Sequence, residues 1–493
     1  MQVVGIAVVG TLCLIGLAFP SLAAGQQLSR VVCRGADAML RRKECTGDIL
    51  PKLCWWLRSS RRHGSSIFSR SLRAAAILPS IILVLAVVVT QLAQAQTFTI
   101  LYSFTDGLDG AHPYAGLTMD RAGNLYGTAE YGGSYQSGYI CELNPREPGC
   151  GTVFKLSKQG ARWIFSPLVD FQGTNGSYPQ AGVTIGPYGN LYGITFAGGT
   201  FGGACGAFGC GTVFHLRPPS TICRTALCPW TDIVVYPFTG GSDGSQPLSG
   251  LIFDQAGNIY GTNVGGPDSC GAVYELSPSG SGWTYTVLYN FACGGEEISP
   301  GGLIFDSRGN LYGVTRFGGN DGCIARGCGT IFELTPSGSG WVQTTLHVFE
   351  ESRDGGWPSA PIMDQAGNLY GASETGGSGN AGTVWELSSS GAFSVLYNFQ
   401  GIPGGGPAGR LAMDAGGSVY GMTNADDSYY YGNVFKLTPS DGSWIYTDLH
   451  DFTGGIDGGT PEGNVTLDRS GNIYGTAPQG GQYGYGIIFE ITP

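Results

Sequence analysis

The chain of 493 residues combines 85 glycines with 12 % aromatic and only 12 % charged residues, and aromatics recurring at fixed places exclude a disordered low-complexity polymer. Residues 1–95 hold 11 Lys/Arg and 3 Asp/Glu, which leaves 14 basic and 33 acidic residues on 96–493, a net charge of −19. That surplus argues against nucleic acid and anionic membranes as partners of the main body, because a phosphate-binding face needs a basic patch.

The first 95 residues read as targeting sequence. Arg61, Arg62, Arg70 and Arg73 precede an apolar run from Ala74 to Val89, and Ala-Gln-Ala closes at Ala95. Basic, apolar and small-residue parts in that order make 66–95 a secretory signal peptide, or an N-terminal membrane anchor where it stays uncleaved. An earlier apolar stretch, Val3–Ala24, lacks the basic flank. Two export signals in tandem point to a translation start downstream of Met1, with 1–65 an uncertain leader. A two-helix membrane hairpin is the alternative.

Thr97–Phe104 (TFTILYSF) is the first predicted strand of the main body. A phrase then returns seven times: DRAGNLYG at Asp120–Gly127, GPYGNLYG at Gly186–Gly193, DQAGNIYG at Asp254–Gly261, DSRGNLYG at Asp306–Gly313, DQAGNLYG at Asp364–Gly371, DAGGSVYG at Asp414–Gly421 and DRSGNIYG at Asp468–Gly475. A period of roughly fifty to seventy residues marks a repeat architecture. Each repeat carries four apolar stretches between glycine-rich turns; in the third they are Gly250–Asp254, Asn258–Thr262, Gly271–Leu276 and Trp283–Phe291. The last alternates cleanly, with Tyr285, Val287, Tyr289 and Phe291 on one face. An open sheet of that many strands would curl or split, so 97–493 is predicted as an all-β, seven-bladed β-propeller of four-stranded antiparallel blades.

Asp-x-x-Gly-Asn reads as a hairpin whose carboxylate accepts from backbone N–H groups. The following Tyr reads as a wedge between adjacent sheets, and the Gly after it as a point where neighbouring backbones approach. The chain ends on a third strand, Gly486–Pro493, and a spare outer-type strand lies at Thr97–Phe104. The N-terminal strand is therefore expected to join the last blade beside Gly486–Ile491 and close the ring.

Cysteines follow the loops. Ten of the 14 lie after residue 96, and Cys141/Cys150, Cys205/Cys210, Cys223/Cys228 and Cys323/Cys328 are close pairs, with Cys270 and Cys293 as a fifth. Local pairs in an exported chain read as disulfides. Zinc is the weaker alternative, because these pairs lack the spacing and the neighbouring histidines of a zinc site.

The unit G-T-V-F-x-L-x-P, L-Y-x-F-x-G-x-D-G-x-x-P, G-L-x-x-D-x-x-G-N-L-Y-G-T-x-x-x-G-G is seen in Gly151–Pro179 with Gly182–Gly199, and again from Gly329 to Gly377. It resembles the bacterial choice-of-anchor GloVer tandem repeat family over about residues 97–493. The resemblance implies an exported, surface-associated repeat protein and no particular activity. Relatives often carry a C-terminal sorting anchor; ending at Pro493 on a strand, this chain is expected to be released or held by its N-terminal segment. The strand pattern also resembles NHL-type propellers, mostly binding scaffolds, with some lyases and lactonases on similar rings.

Function is expected in the long loops, which open on one face. They carry Tyr131, Tyr135, Trp357, Tyr429, Tyr430, Tyr431 and Tyr483, aromatics suited to stacking on sugars or peptides, although loop cores use such residues too. Asp109, Asp243, Asp354 and Asp457 recur beside them. Turn capping is the favoured reading, with Ca²⁺ as the one metal such oxygen-rich loops suit; D-x-D-x-D spacing is absent. His215 and His347 lie in strand phrases without a companion base, and no nucleophile, zinc or phosphate-loop motif stands in a fitting context. The expectation is a monomeric, exported, non-catalytic propeller that needs no cofactor and binds a glycan or protein through its loop face. An extracellular carbohydrate- or lactone-acting enzyme at the channel mouth, using His112 and carboxylates from several blades, is the alternative. A purely structural surface module is the third reading.

Overall fold

The computed structural model describes residues 96–493 apart from 134–140, 142–147, 161, 220–229, 266–268, 281, 293–296, 320–322, 324–325, 339, 402–404 and 426–429. The expected leader and signal segments, together with Tyr135, Tyr429, Cys223, Cys228 and Cys293, lie outside the described residues. Among the described residues no helix is long and apolar enough to cross a membrane.

Seven antiparallel sheets form seven blades around a central channel. Blade 1 runs from the axis outward as Thr118–Met119, Leu125–Ala129, Thr152–Gln159 and Arg162–Asp170. Blades 2, 3, 4 and 6 repeat that order, and blade 5 adds the short strand Gly356–Pro358. Blade 7 takes its outer strand from the start of the described chain: Thr97–Ser103 pairs with Ile487–Thr492, from Thr97 opposite Thr492 to Ser103 opposite Ile487.

The repeated phrase builds one hairpin six times. In blade 1, Asp120 Oδ1 accepts from the N–H groups of Ala122 and Asn124 (both 2.9 Å), while Oδ2 accepts from Asn124 Nδ2 (2.7 Å) and the Tyr126 hydroxyl (3.1 Å). Burial works against the carboxylate, but these donors outweigh it and hold Asp120 below the ordinary range. The second copy lacks the Asp and closes instead through a 3₁₀ turn, Pro187–Gly189, with Tyr188 at φ 62° and 97 % exposed. Tyr192, without an acidic partner, stacks flat on His215 at 4.6 Å.

Tyrosine is the expected wedge. Tyr126 of blade 1 packs with Val183, Leu191 and Phe214 of blade 2, and Tyr474 of blade 7 packs with Leu117, Leu125 and Phe154 of blade 1. The next glycine has a different reason from the expected one. A β-carbon on Gly127 would fall 2.5 Å from Phe154 Cζ, the residue opposite it on the third strand. Phe214, Tyr274, Phe332, Trp385, Phe435 and Phe489 stand in the same relation to Gly193, Gly261, Gly313, Gly371, Gly421 and Gly475. An aromatic ring from the blade's own third strand, not a neighbouring backbone, occupies the space.

Outer strands lock successive blades by ring stacking: Tyr102 on Phe165 (4.0 Å), Tyr236 on Tyr285 (4.9 Å), Tyr397 on Tyr446 (4.6 Å). His347 and His450 fill the tyrosine place in blades 4 and 6, stacking on Phe393 and Phe98 at 3.7 Å each. Burial pushes the His450 pKa down, although Asp457 and Asp451 pull it up. A histidine whose folded pKa lies below its unfolded value stabilises fully above the unfolded pKa of about 6.5, and that contribution is lost as the pH falls through the folded pKa. His450→Tyr should therefore flatten the acid side of the stability profile between about pH 7.5 and 5. Melting temperatures of both proteins across that range check it; parallel curves would rule it out.

Candidate functional site at the channel mouth

The loop face is fixed by a turn that strains the backbone. His112, Tyr178, Gln246, Trp357 and Thr460, each just before a proline, have φ between 50° and 58°, which costs energy in any residue with a β-carbon. The N–H of each donates to a carbonyl of the preceding blade: Tyr485 (2.9 Å), Cys150 (2.8 Å), Cys210 (2.7 Å), Cys328 (2.9 Å) and Tyr431 (2.7 Å). Three acceptors are cysteines of closed disulfides, Cys141–Cys150, Cys205–Cys210 and Cys323–Cys328, with Cα atoms 4.9, 4.9 and 5.0 Å apart. The disulfide loops thus hold the carbonyl that clamps the next blade. Cys270 is also disulfide-bonded.

Two positions per blade face the mouth. One lies four residues after the wedge tyrosine and reads Glu130, Phe196, Val264, Arg316, Glu374, Asn424 and Pro478 around the ring; the other follows the strained-turn proline and includes Tyr114, Gln180, Leu248 and Glu462. Gln180 Nε2 donates to Glu130 Oε1 at 2.8 Å, and Arg316 Nη2 pairs with Glu374 Oε2 at 2.5 Å. Glu462 feels Glu374, Arg316 and Glu130 together. Glu374 of blade 5 and Glu462 of blade 7 both flank the segment that enters blade 6, where Gly406 N–H donates to the Glu374 carbonyl at 3.2 Å and Gly409 packs on the Glu462 backbone. Burial pushes Glu462 up to about 7, with Glu374 and Glu130 adding to the shift and Arg316 opposing it. Burial likewise raises Glu374 against the pull of Arg316. Phe196, Leu248 and Val264, all half-buried, give the blade 2 and 3 side of the mouth an apolar character. Near neutral pH the mouth holds a carboxyl close to half-protonation, carboxylates, a guanidinium and an amide.

Trp357 joins this group. It is half-buried, the Arg316 guanidinium carbon lies 5.4 Å from its ring centroid, and its indole N–H is shut off from solvent with no acceptor among the described residues. Tyr131 stands edge-on to His112 (5.9 Å) and Tyr178 (5.6 Å), on the blade 1 side. Tyr430, Tyr431 and Tyr483 are the other described members of the expected set. Tyr430 is 61 % exposed on the blade 6 loop, the Tyr431 ring lies over Gly454 and Gly459, and Tyr483 is 53 % exposed beside Tyr102. His112 is buried, with Nδ1 2.8 Å from the Pro478 carbonyl oxygen.

The recurrent loop aspartates serve their own turns. Asp109 accepts from the Thr105 N–H (2.9 Å) and hydroxyl (2.6 Å) and from the Tyr102 hydroxyl (2.9 Å); Asp243 repeats the set with Thr239 and Tyr236. Asp354 takes the Glu350 N–H and pairs with His347 at 2.9 Å, and Asp457 takes the Thr453 N–H and hydroxyl. Among the described residues no three His, Cys, Asp or Glu side chains gather as metal ligands. A cleft of about 450 Å³ between blades 5 and 6, lined by Glu386, Leu396, Asp441 and Trp444, lies on outer strands away from the mouth.

Glu130, Arg316, Glu374 and Glu462 were not singled out from sequence. The signal was there in the register, since each stands where the other copies differ, a fixed step from the wedge tyrosine or the turn proline.

The sequence model of the Gloeobacter/Verrucomicrobia repeat matches residues 147–324 and 322–493. No curated protein matches the chain. Among solved structures, similar folds include the extracellular domain of a candidate one-component system from B. thetaiotaomicron, at 11 % identity, 79 % of this chain, 39 % of that chain and a TM-score of 0.46. A candidate 6-phosphogluconolactonase from Bacteroides uniformis matches at 14 % identity, 71 % and 86 % coverage and a TM-score of 0.41. The NanB sialidase of Streptococcus pneumoniae matches at 12 % identity, 80 % and 70 % coverage and a TM-score of 0.39. These likenesses are of fold.

Proposed function

The chain belongs to the Gloeobacter/Verrucomicrobia repeat family, and we propose that it is an exported, monomeric propeller that binds a glycan at the mouth of its channel without altering it. One observation carries this reading: Trp357, Arg316, Glu374 and Glu462, from blades 4, 5 and 7, gather on the loop face with a half-buried indole ring beside a guanidinium and a carboxyl raised to about 7. Donors and acceptors around a half-buried indole match the alternating hydroxyls and C–H faces of a sugar ring. The disulfides support an oxidising compartment, and the acidic surface fits neither nucleic acid nor an anionic membrane. No cofactor is needed.

Glycan-array screening followed by calorimetry tests this. Trp357→Ala should weaken the best ligand about tenfold or more, and Glu462→Gln should remove the pH dependence of binding near 7. Triple replacement of Tyr429, Tyr430 and Tyr431 by Ala tests the blade 6 loop as an extension of the site. Absence of any glycan ligand, or affinities unmoved by Trp357→Ala and Glu462→Gln, would overturn it. The raised Glu462 also favours a second reading, a lyase or hydrolase with this carboxyl as proton donor; product release from a bound glycan, lost in Glu462→Gln, would select it.

A further inference from the structure

Arg410 lies just before the inner strand of blade 6, Ala412–Met413, and immediately before the buried Leu411. The matching residue is Gly116, Gly182, Gly250 and Gly302 in blades 1 to 4, Ala360 in blade 5 and Asn464 in blade 7. Inner strands of adjoining blades run shoulder to shoulder here: a β-carbon on Gly116 would strike Asn464, and one on Gly409 the Gly463 carbonyl. Arg410 therefore brings the one long side chain into a collar of small residues. It is half-buried, at the entrance to the innermost strand.

Among the described residues its guanidinium has no partner. The backbone N–H of Arg410 donates to Asn464 Oδ1 at 3.0 Å, which ties blade 6 to blade 7, but no ion pair or hydrogen bond from a described residue reaches the side chain, and Nε is shut off from solvent without an acceptor among them. Burial lowers its pKa with no carboxylate to counter the shift. Arg316, at the mouth, is paired with Glu374. In a body with 33 acidic and 14 basic residues, an internal counter-ion for Arg410 would be easy to supply, and a guanidinium partly withdrawn from water without one is costly.

We propose that Arg410 is the anchor of an oxyanion site within the channel, taking the carboxylate of an acidic sugar whose ring is held at the mouth. The planar fork of the guanidinium suits two carboxylate oxygens at once. The mouth does not repel such a ligand, since Arg316 neutralises Glu374 and Glu462 is largely protonated below pH 7. The sugar part of this inference rests on the binding function proposed above; the anion site does not.

Two arms keep them apart. In the first, melting temperature is followed in sulfate and in phosphate against chloride at matched ionic strength. The expected result is an oxyanion-dependent rise in the wild type that is absent in Arg410→Gln and partial in Arg410→Lys, with Arg410→Gln at least as stable as the wild type in chloride. Equal rises in wild type and Arg410→Gln would overturn the anion site. In the second, binding of a uronic-acid oligosaccharide is compared with its neutral counterpart at pH 6. A preference of tenfold or more for the acidic chain, erased by Arg410→Gln, supports the carboxylate ligand. Sulfated or phosphorylated sugars bound in its place, or acidic and neutral chains bound alike, would overturn that ligand. If no glycan binds at all, the mouth function fails while the first arm still decides Arg410.

Discussion

Removal of Thr97–Phe104 will lower the melting temperature by roughly 5–10 °C and broaden the transition. Thr97–Ser103 is the outer strand of blade 7, and its side chains serve two blades. Phe98 and Ile100 pack on the blade 7 cluster of Phe452, Ile487 and Phe489, while Leu101, Tyr102 and Phe104 pack with Phe154, Leu156 and Phe165 of blade 1. Phe104 is 0 % exposed, and its N–H donates to the Gly486 carbonyl at 3.0 Å. Burial of one complete phenylalanine and several half-buried side chains is worth roughly 5 kcal/mol. Deletion also bares Ile487–Thr492 as an unpaired edge, an invitation to intermolecular pairing. Calorimetry and size-exclusion chromatography read both effects, and a synthetic peptide of residues 97–104 should restore the transition. A truncated protein that melts like the full one and stays monomeric would show that the strand is dispensable.

Those eight residues could be placed from sequence because strand order is periodic: seven inner hairpins and a spare outer strand leave one vacancy. The hairpin carboxylates and the tyrosine wedge were equally legible, since their partners lie within the same phrase. Gly127 was misread because its neighbour Phe154 lies beyond a long loop, and only the strand register brings them opposite each other. The mouth shows the same limit. Glu374 and Glu462 are each visible as departures from the repeat, but their mutual influence arises only because blades 5 and 7 both pack against the segment that enters blade 6. Tyr431 is aromatic and in a loop, which is all that sequence shows of it; that its ring also covers Gly454 and Gly459 while staying 37 % exposed depends on how the blade 6 and blade 7 loops fold on one another.

The second large effect is expected at Gly371. A β-carbon there would lie 2.2 Å from Trp385 Cζ2, closer than the corresponding ring in the other six blades. Both residues are buried in the middle of the sheet, and they pair directly across strands. Gly371 does not adopt a positive φ, so alanine carries no backbone penalty and would by itself stabilise by about 0.4–1 kcal/mol through the unfolded chain. The sign is decided by packing. Trp385 has no exposed side toward which to move, with Phe349 at 5.6 Å and Phe393 at 6.0 Å, and overpacking of this kind costs about 1–3 kcal/mol or more. Gly371→Ala should therefore lose about 2 kcal/mol in denaturant unfolding. Gly282→Ala, at an exposed strand position with nothing near the new carbon, should be neutral or slightly stabilising. Trp385→Leu opens the space that Gly371→Ala fills, so the double variant should be more stable than the sum of the two losses predicts, by at least about 1 kcal/mol. Additive losses would mean that the glycine is held by something other than the ring opposite it, and the account of all seven Tyr-Gly pairs would fall with it.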